Sequence, residues 1–309
     1  MNNRIILGVL LTLLGTFGCD PDFDPGSRVV SFRVLAQQVD QPFARPGEEV
    51  NVTSLSYDPE GRPVTWAWAA CLNPASASVT GCIDRIAEQA QSSGESPILA
   101  QGLEMSSFTY TVPENTLDSI PENARSAAFV GLVSVACPGD FSLTPGQNGF
   151  PFRCLEAGTD RELSLDQYVI GLKRVQVRSQ DRNENPVVEQ VTFDGEPWPE
   201  DEVKEVTACD TDNDYGKCAD STRHSMAAIP TQASTQSGRT EFGTDFTEQV
   251  IIEYYATEGV FEYEIKIASD PETHWAARTA ASGKDLTLWM VLHDDRGGAS
   301  WVQRTVHVQ

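Results

Sequence analysis

Short runs of alternating apolar and polar residues, separated by turn-forming residues, limit most strongly how this chain can fold. The first run places four side chains on one face of a strand: Val30, Phe32, Val34 and Ala36. Further strand-like runs follow at 50–56, 64–70, 107–112, 128–136 and 168–177. Because short strands punctuated by Pro, Gly and Asp turns are typical of two-layer sheets, the sequence predicts an all-β sandwich fold. Helix is expected only over Asp84–Ser92, with a further helical turn within Thr116–Arg125.

The strand pattern is interrupted near the middle of the chain and then resumes. Residues 179–185 (SQDRNEN) are polar, and new strand-like runs lie at 187–193, 226–233, 249–256, 260–267, 286–293 and 300–308. A length of 309 residues also exceeds that of one typical domain. The sequence therefore predicts two tandem sandwich domains, over 28–180 with loop insertions and over 187–309, joined by a linker at 181–186.

The N-terminus carries the signature of a secretory signal. Arg4 precedes an apolar, uncharged stretch from Ile5 to Gly18, and Cys19 follows. A helix of fourteen residues would be about 21 Å long, shorter than the ~30 Å hydrocarbon core of a bilayer, which favours a removable signal peptide over residues 1–18. Residues 19–27 (CDPDFDPGS) then form an acidic tether.

Gly18 directly before Cys19 resembles the bacterial lipobox, although Thr16 stands where that motif usually has Leu. The resemblance implies that Cys19 is acylated and anchors the protein in the cell envelope. The alternative is an ordinary secretory signal that leaves Cys19 free. The chain has seven cysteines, so acylation of one leaves six for disulfides in an oxidising compartment.

Six cysteines allow 15 pairings. Three pairs are close in sequence and each flanks one loop: Cys71–Cys82, Cys137–Cys154 and Cys209–Cys218. Cys71 with Cys137 is disfavoured, because the ends of neighbouring antiparallel strands would hold them too far apart for a disulfide. Three local bridges are therefore predicted. A zinc site is the weaker alternative, since no pair has the spacing of a zinc motif and no histidine is adjacent.

The turns and tryptophans resemble those of PKD-like and cadherin-like immunoglobulin domains. In the first half the resemblance is carried by residues 46–50 (PGEEV), 57–61 (YDPEG) and the two tryptophans of 64–70; in the second half it is carried by 288–291 (LWMV) and 294–298 (DDRGG). It implies immunoglobulin-like sandwiches of a bacterial cell-envelope lipoprotein. The sequence after Trp68 departs from PKD, because Ala-Ala-Cys-Leu-Asn replaces the usual aspartate- and glycine-rich turn.

An excess of acidic residues bears on the partners. The net charge of −23 argues against nucleic acid, whose phosphates require Lys and Arg. The formal net charge is −8 over residues 1–180 and −15 over residues 181–309. In the second half, Asp210, Asp212, Asp214 and Asp220 resemble a calcium-binding loop, with the glycine one position late and no Glu at the twelfth position. Calcium is thus a possible cofactor at this loop, and a solvated acidic loop is the alternative.

No motif predicts catalysis. The four histidines are His224, His274, His293 and His307, and the only arrangement to consider is His293 with Asp294 and Ser300. The sequence predicts a protein that is not an enzyme: a lipid-anchored envelope or surface protein with a binding, adhesion or scaffold role toward a protein or glycan. The alternatives are a calcium-binding surface module at 209–220 and a cryptic hydrolase. Core packing is expected for Trp66, Trp68 and Trp289, and loop anchoring for Trp198.

Overall fold

β-Strands supply most of the regular structure, as the alternating pattern predicts. The computed structural model describes residues 25–73, 78–94, 96–118, 120–146, 150–210 and 214–309. The predicted signal peptide and residues 19–24 of the tether lie outside this range. Peptide bonds in the described part are all trans.

The described residues of the first half of the chain form ten strands. They are β1 (Arg33–Val39), β2 (Phe43–Ala44), β3 (Glu49–Tyr57), β4 (Thr65–Leu72), β5 (Ala100–Leu103), β6 (Ser107–Thr111), β7 (Phe129–Cys137), β8 (Asp140–Ser142), β9 (Arg153–Leu155) and β10 (Val169–Val177). One sheet has the order β1-β3-β6 and the other the order β2-β10-β7-β4-β5. Apolar residues of both sheets share one core, which contains the stacked rings of Trp66 and Trp68. These two layers are called the first sandwich.

Twelve strands are formed by the part of the second half that the structure describes. They are β11 (Val188–Phe193), β12 (Glu196–Pro197), β13 (Val203–Val206), β14 (His224–Pro230), β15 (Ser237–Arg239), β16 (Asp245–Thr247), β17 (Val250–Ala256), β18 (Val260–Phe261), β19 (Ile265–Ile267), β20 (Thr273–Ala276), β21 (Asp285–Asp294) and β22 (Ala299–Val308). Sheets β12-β11-β14-β20-β18 and β13-β22-β21-β17-β19 pack over a core that includes Trp198 and Trp275. These layers are called the second sandwich.

Within the described ranges, the α-helix α1 (Val79–Ser93) covers the outer face of the first sandwich. It begins five residues before the predicted helix, after Ser78, whose hydroxyl accepts a hydrogen bond from the Gly81 backbone N–H. Its buried residues Cys82 and Ile86 pack on Ala69 and Val133, so a small second core lies behind the sheet. A 3-10 helix at Glu122–Ala127 partly overlaps the predicted helical turn. Among the described helices, none is both long and apolar enough to cross a membrane.

The chain's first described residues join the second sandwich rather than the first. The Val29 N–H donates to Ala256 O (2.9 Å), and the Ala256 N–H donates to Ser27 O (2.9 Å), on the edge of β17 that β19 leaves open. Val29 is buried, whereas Val30 is 46 % exposed. Regular pairing of the predicted first strand (Val30–Ala36) therefore begins only at Arg33, and residues 27–29, which precede that strand, extend the second sandwich.

A further apolar cluster lies between the sandwiches. Trp289 on β21 packs with Val29 and Leu35, and its ring centroid lies 5.0 Å from that of Tyr57 on β3. The indole Nε1–H donates to Gln303 Oε1 (3.1 Å). Trp289 is thus buried as expected, but on the outer face of its sheet, against the first sandwich.

Candidate functional site

The six cysteines within the described residues form three disulfides. The pairs are Cys71–Cys82, Cys137–Cys154 and Cys209–Cys218, with Cα–Cα distances of 5.4, 5.7 and 5.4 Å. These are the three predicted local pairs. Cys71 and Cys137 lie toward opposite ends of the β4–β7 ladder, where Cys71 pairs with Gly131 and Thr65 pairs with Cys137. Cys19 lies outside the described residues.

The acidic loop predicted to bind calcium is described except for residues 211–213, which include Asp212. Asp214 accepts a hydrogen bond from the Gly216 N–H (3.0 Å), and its other oxygen lies 2.9 Å from Lys217 Nζ, an interaction that lowers the pKa of Asp214. Asp220 lies 3.3 Å from Arg223 Nη1, and Asp210 is exposed. In the part of the chain that is described, no group of three His, Cys, Asp or Glu side chains could hold a metal ion. Calcium binding stays a prediction that depends on Asp212.

His293 and Ser300 do not come together. Ser300 pairs with Leu292, whose side chain faces the sandwich core, whereas His293 lies one position further along β21 and so faces the other side of the sheet. His293 Nε2 instead lies 3.1 Å from Glu253 Oε2. Because a nucleophile and its base must be within hydrogen-bonding reach, this pair cannot form the dyad considered above.

The predicted linker is fixed to both sandwiches by its side chains. Arg182 forms a two-point ion pair with Glu48 of the first sandwich (2.8 and 2.9 Å). This interaction is the main cause that lowers the pKa of Glu48. Asn185 donates to Val39 O (2.8 Å) and accepts from the Ala299 N–H (3.0 Å), and thereby bridges β1 and β22. The segment therefore acts as a rigid connection rather than a free spacer.

The turn between β21 and β22 reaches the first sandwich. One Asp294 oxygen accepts from the backbone N–H groups of Arg296 (2.9 Å) and Gly298 (2.7 Å), and the other accepts from Asn183 Nδ2 (3.0 Å). Gly297 has a φ of +101°, a conformation that favours glycine, and its carbonyl accepts from Lys173 Nζ on β10 (2.8 Å). Residues 294–298 (DDRGG) thus form a turn that also contacts the first sandwich.

Arg296 is the central side chain of this contact. Its guanidinium group lies 3.9 Å from the ring centroid of Phe246 and 4.7 Å from that of Phe43, which belongs to the first sandwich. It pairs with Glu248 (2.8 Å), whose side chain is 1 % exposed. Burial raises the pKa of Glu248 despite this pairing. A cation held between two aromatic rings and a buried carboxylate gains from both interactions.

A cleft of about 660 Å³ opens beside these contacts, and we call it the junction cleft. Residues of both sandwiches line it: Phe43, Ser126, Ala127, Phe129, Leu172, Lys173, Arg174, Gln176, Arg178, Asp294, Asp295, Arg296 and Gly297. Four of these residues are basic and two are acidic, in a chain with about twice as many acids as bases. The lining side chains therefore carry two more positive than negative charges, and the charge of Arg296 is paired with that of Glu248.

Hydrogen bonds and burial fix two of the cations, Arg178 and Lys173, in the wall of the junction cleft. Arg178 is 7 % exposed, and its guanidinium donates to the carbonyl oxygens of Ala128 (3.0 Å) and Ser126 (2.7 Å). Burial lowers the pKa of Lys173 to about 8. Arg174 is exposed at the mouth. A cleft that holds ordered cations beside aromatic rings is suited to an anionic group next to an apolar wall.

Comparison with known proteins does not identify a family. No protein-family model matches the chain, and no curated protein does either.

A pH dependence of stability follows from the lowered pKa of Lys173. Between pH 7 and 10 Lys173 binds more protons in the unfolded chain, where its pKa is near 10.5, than in the folded chain, so Lys173 should contribute roughly 2 kcal/mol more to stability at pH 10 than at pH 7. Urea unfolding at pH 7, 8, 9 and 10 measures this change in the free energy of unfolding. Lys173→Met should lose this rise, and Lys284→Met, at an exposed position, should keep it. Equal profiles for the two variants would contradict the assignment.

The motifs and strand patterns of the sequence did not predict the junction cleft. A signal was nevertheless present, because four of the 22 basic residues occur within ten positions: Lys173, Arg174, Arg178 and Arg182. A basic cluster in an acidic chain indicates a local site rather than a general surface property.

Proposed function

We propose that the protein is a lipid-anchored, non-catalytic binding protein of the bacterial cell envelope, and that the junction cleft binds an anionic group of its partner. The concentration of Lys173, Arg174, Arg178 and Arg296 around one cleft, in a chain of net charge −23, carries the proposal. The signal-like N-terminus with Cys19 and the three disulfides support an extracytoplasmic location.

Charge and shape both favour an anionic group here. An acidic surface repels anions generally, so a local basic cleft selects where they approach. The guanidinium groups of Arg178 and Arg296 are already ordered by hydrogen bonds and ring contacts, so little side-chain entropy remains to be lost on binding. Phe43 and Phe129 add an apolar wall. A carboxylate- or sulfate-bearing protein or glycan has the matching chemistry, consistent with an adhesion or scaffold role.

Charge reversal at Arg174 tests the proposal. Detergent-solubilised envelope proteins would be captured on the immobilised full chain and quantified by mass spectrometry. The Arg174→Glu variant should recover at least about ten-fold less of the specific partner, a loss of about 1.4 kcal/mol or more, because repulsion replaces attraction at the cleft mouth. Wild-type capture should also weaken as salt increases.

Arg85→Glu is the matched control, because Arg85 is an exposed arginine on α1 outside the cleft. This substitution makes the same charge reversal away from the cleft, so capture of the partner should stay at the wild-type level. Identical partner sets for wild type and Arg174→Glu would exclude the cleft as the binding site.

A further inference from the structure

Three isoleucine side chains are exposed together at one edge of the second sandwich. On β19, Ile265 and Ile267 are 61 and 51 % exposed, and Ile251 on β17 is 40 % exposed. Ile251 pairs directly with Ile267, and Ile265 is two positions from Ile267 on the same strand, so all three share one side of the sheet. We call this set the apolar stripe.

The apolar stripe differs from the rest of its sheet face. On the neighbouring strand β21, the outward residues Trp289 and Val291 are buried, Trp289 against the first sandwich. The stripe lies at the opposite side of β17, on the edge strand β19. Proteins normally protect an edge strand with charges, and a contiguous exposed apolar set indicates an interaction surface.

The start of the described chain lies next to the apolar stripe. The Ser27 hydroxyl donates to Glu264 Oε1 (2.7 Å), and Glu264 directly precedes Ile265. The bridge between Arg28 and Ala256 fixes the same segment along β17. Cys19 is six residues before Pro25, and six residues can span at most about 20 Å. An acyl group on Cys19 must therefore hold this edge of the protein close to the bilayer.

We propose that the apolar stripe rests on the surface of the bilayer that holds the acylated Cys19. The proposal depends on the lipid anchor of the proposed function and adds an orientation to it. Isoleucine side chains gain by leaving water at the boundary between headgroups and acyl chains. The short tether also raises the effective concentration of the stripe at the membrane, so a weak contact suffices.

Accessibility of single spin labels tests the proposal on the lipidated full chain. With Cys19 acylated and the other six cysteines in disulfides, an introduced cysteine is the only free thiol. A nitroxide on Ile265→Cys is compared with one on Val203→Cys, which is 49 % exposed on β13, the opposite edge strand of the same sheet. Each variant is placed in phosphatidylethanolamine–phosphatidylglycerol vesicles, and collision with water-soluble nickel ethylenediaminediacetate is measured.

Label 265 should be several-fold less accessible to nickel than label 203 in vesicles. Adding Ile251→Asp and Ile267→Asp, both at exposed positions, should restore nickel access at 265 while the protein still floats with the vesicles. If the protein floats with the vesicles and nickel reaches labels 265 and 203 equally, the stripe does not rest on the bilayer. That result would overturn this proposal and leave the lipid anchor intact. Spin–spin coupling between 265 labels would show a second copy on the stripe and would also overturn it. A chain that does not float would refute the anchor, and with it both proposals.

Discussion

Replacing Arg296 with alanine is expected to lower the free energy of unfolding by about 3–5 kcal/mol, the range for breaking a buried ion pair by removing one partner. Glu248, with its side chain 1 % exposed, would lose its charged partner and keep a buried carboxylate. The substitution would also remove the cation that lies over both Phe43 and Phe246 and hence a contact between the sandwiches. Urea unfolding at pH 7 followed by circular dichroism measures the loss.

Two further variants separate the buried pair from general effects at this position. Arg239→Ala removes an exposed arginine 3.7 Å from Asp245 and should cost less than about 1 kcal/mol, as surface pairs do. Combining Arg296→Ala with Glu248→Gln removes the unpaired charge and should recover part of the stability. A loss below about 1 kcal/mol for Arg296→Ala alone would contradict a central role of this contact.

Loss of the Cys19 thiol is expected to have the largest functional effect. Cys19→Ala should move the protein from the membrane fraction to the soluble fraction, because each buried methylene of an acyl chain contributes about 0.8 kcal/mol and two or more chains anchor stably. Flotation of cell extracts in a density gradient, with detection of the protein in each fraction, measures the distribution. The rest of the chain would be unchanged.

Thr16→Leu is the control for the Cys19 variant. The substitution places leucine at position 16, where the lipobox usually has it, and leaves Cys19 unchanged. Membrane association should therefore persist. Equal membrane association of wild type and Cys19→Ala would contradict acylation at this position.

Local features of the fold were predictable because their information lies in short stretches of sequence. The period-two runs identify an all-β sandwich fold, and the loop lengths identify the three disulfides. Trp198 is an example from a loop: it is 1 % exposed, its ring packs edge-on against Phe193, and its Nε1–H donates to Glu202 O. Neighbouring residues determine such contacts, so pattern and spacing suffice.

Contacts between the two halves of the chain could not be predicted in the same way. Asn185 lies 146 residues from the carbonyl that it contacts, Arg296 lies far in sequence from Phe43, and residues 27–29 pair with Ala256. Period-two patterns state which face of a strand is apolar and not which surface covers it. One sign of these contacts is visible in the sequence, because residues 288–292 (LWMVL) are continuously apolar, as in a strand buried on both faces.

The mass of the N-terminal peptide, released by protease from protein purified out of membranes, tests the account most directly. Acylation predicts that residues 1–18 are absent and that the peptide begins at Cys19 with the added mass of a diacylglyceryl group. An unmodified Cys19, or a peptide that still contains residues before it, would contradict the membrane anchor and the orientation derived from it.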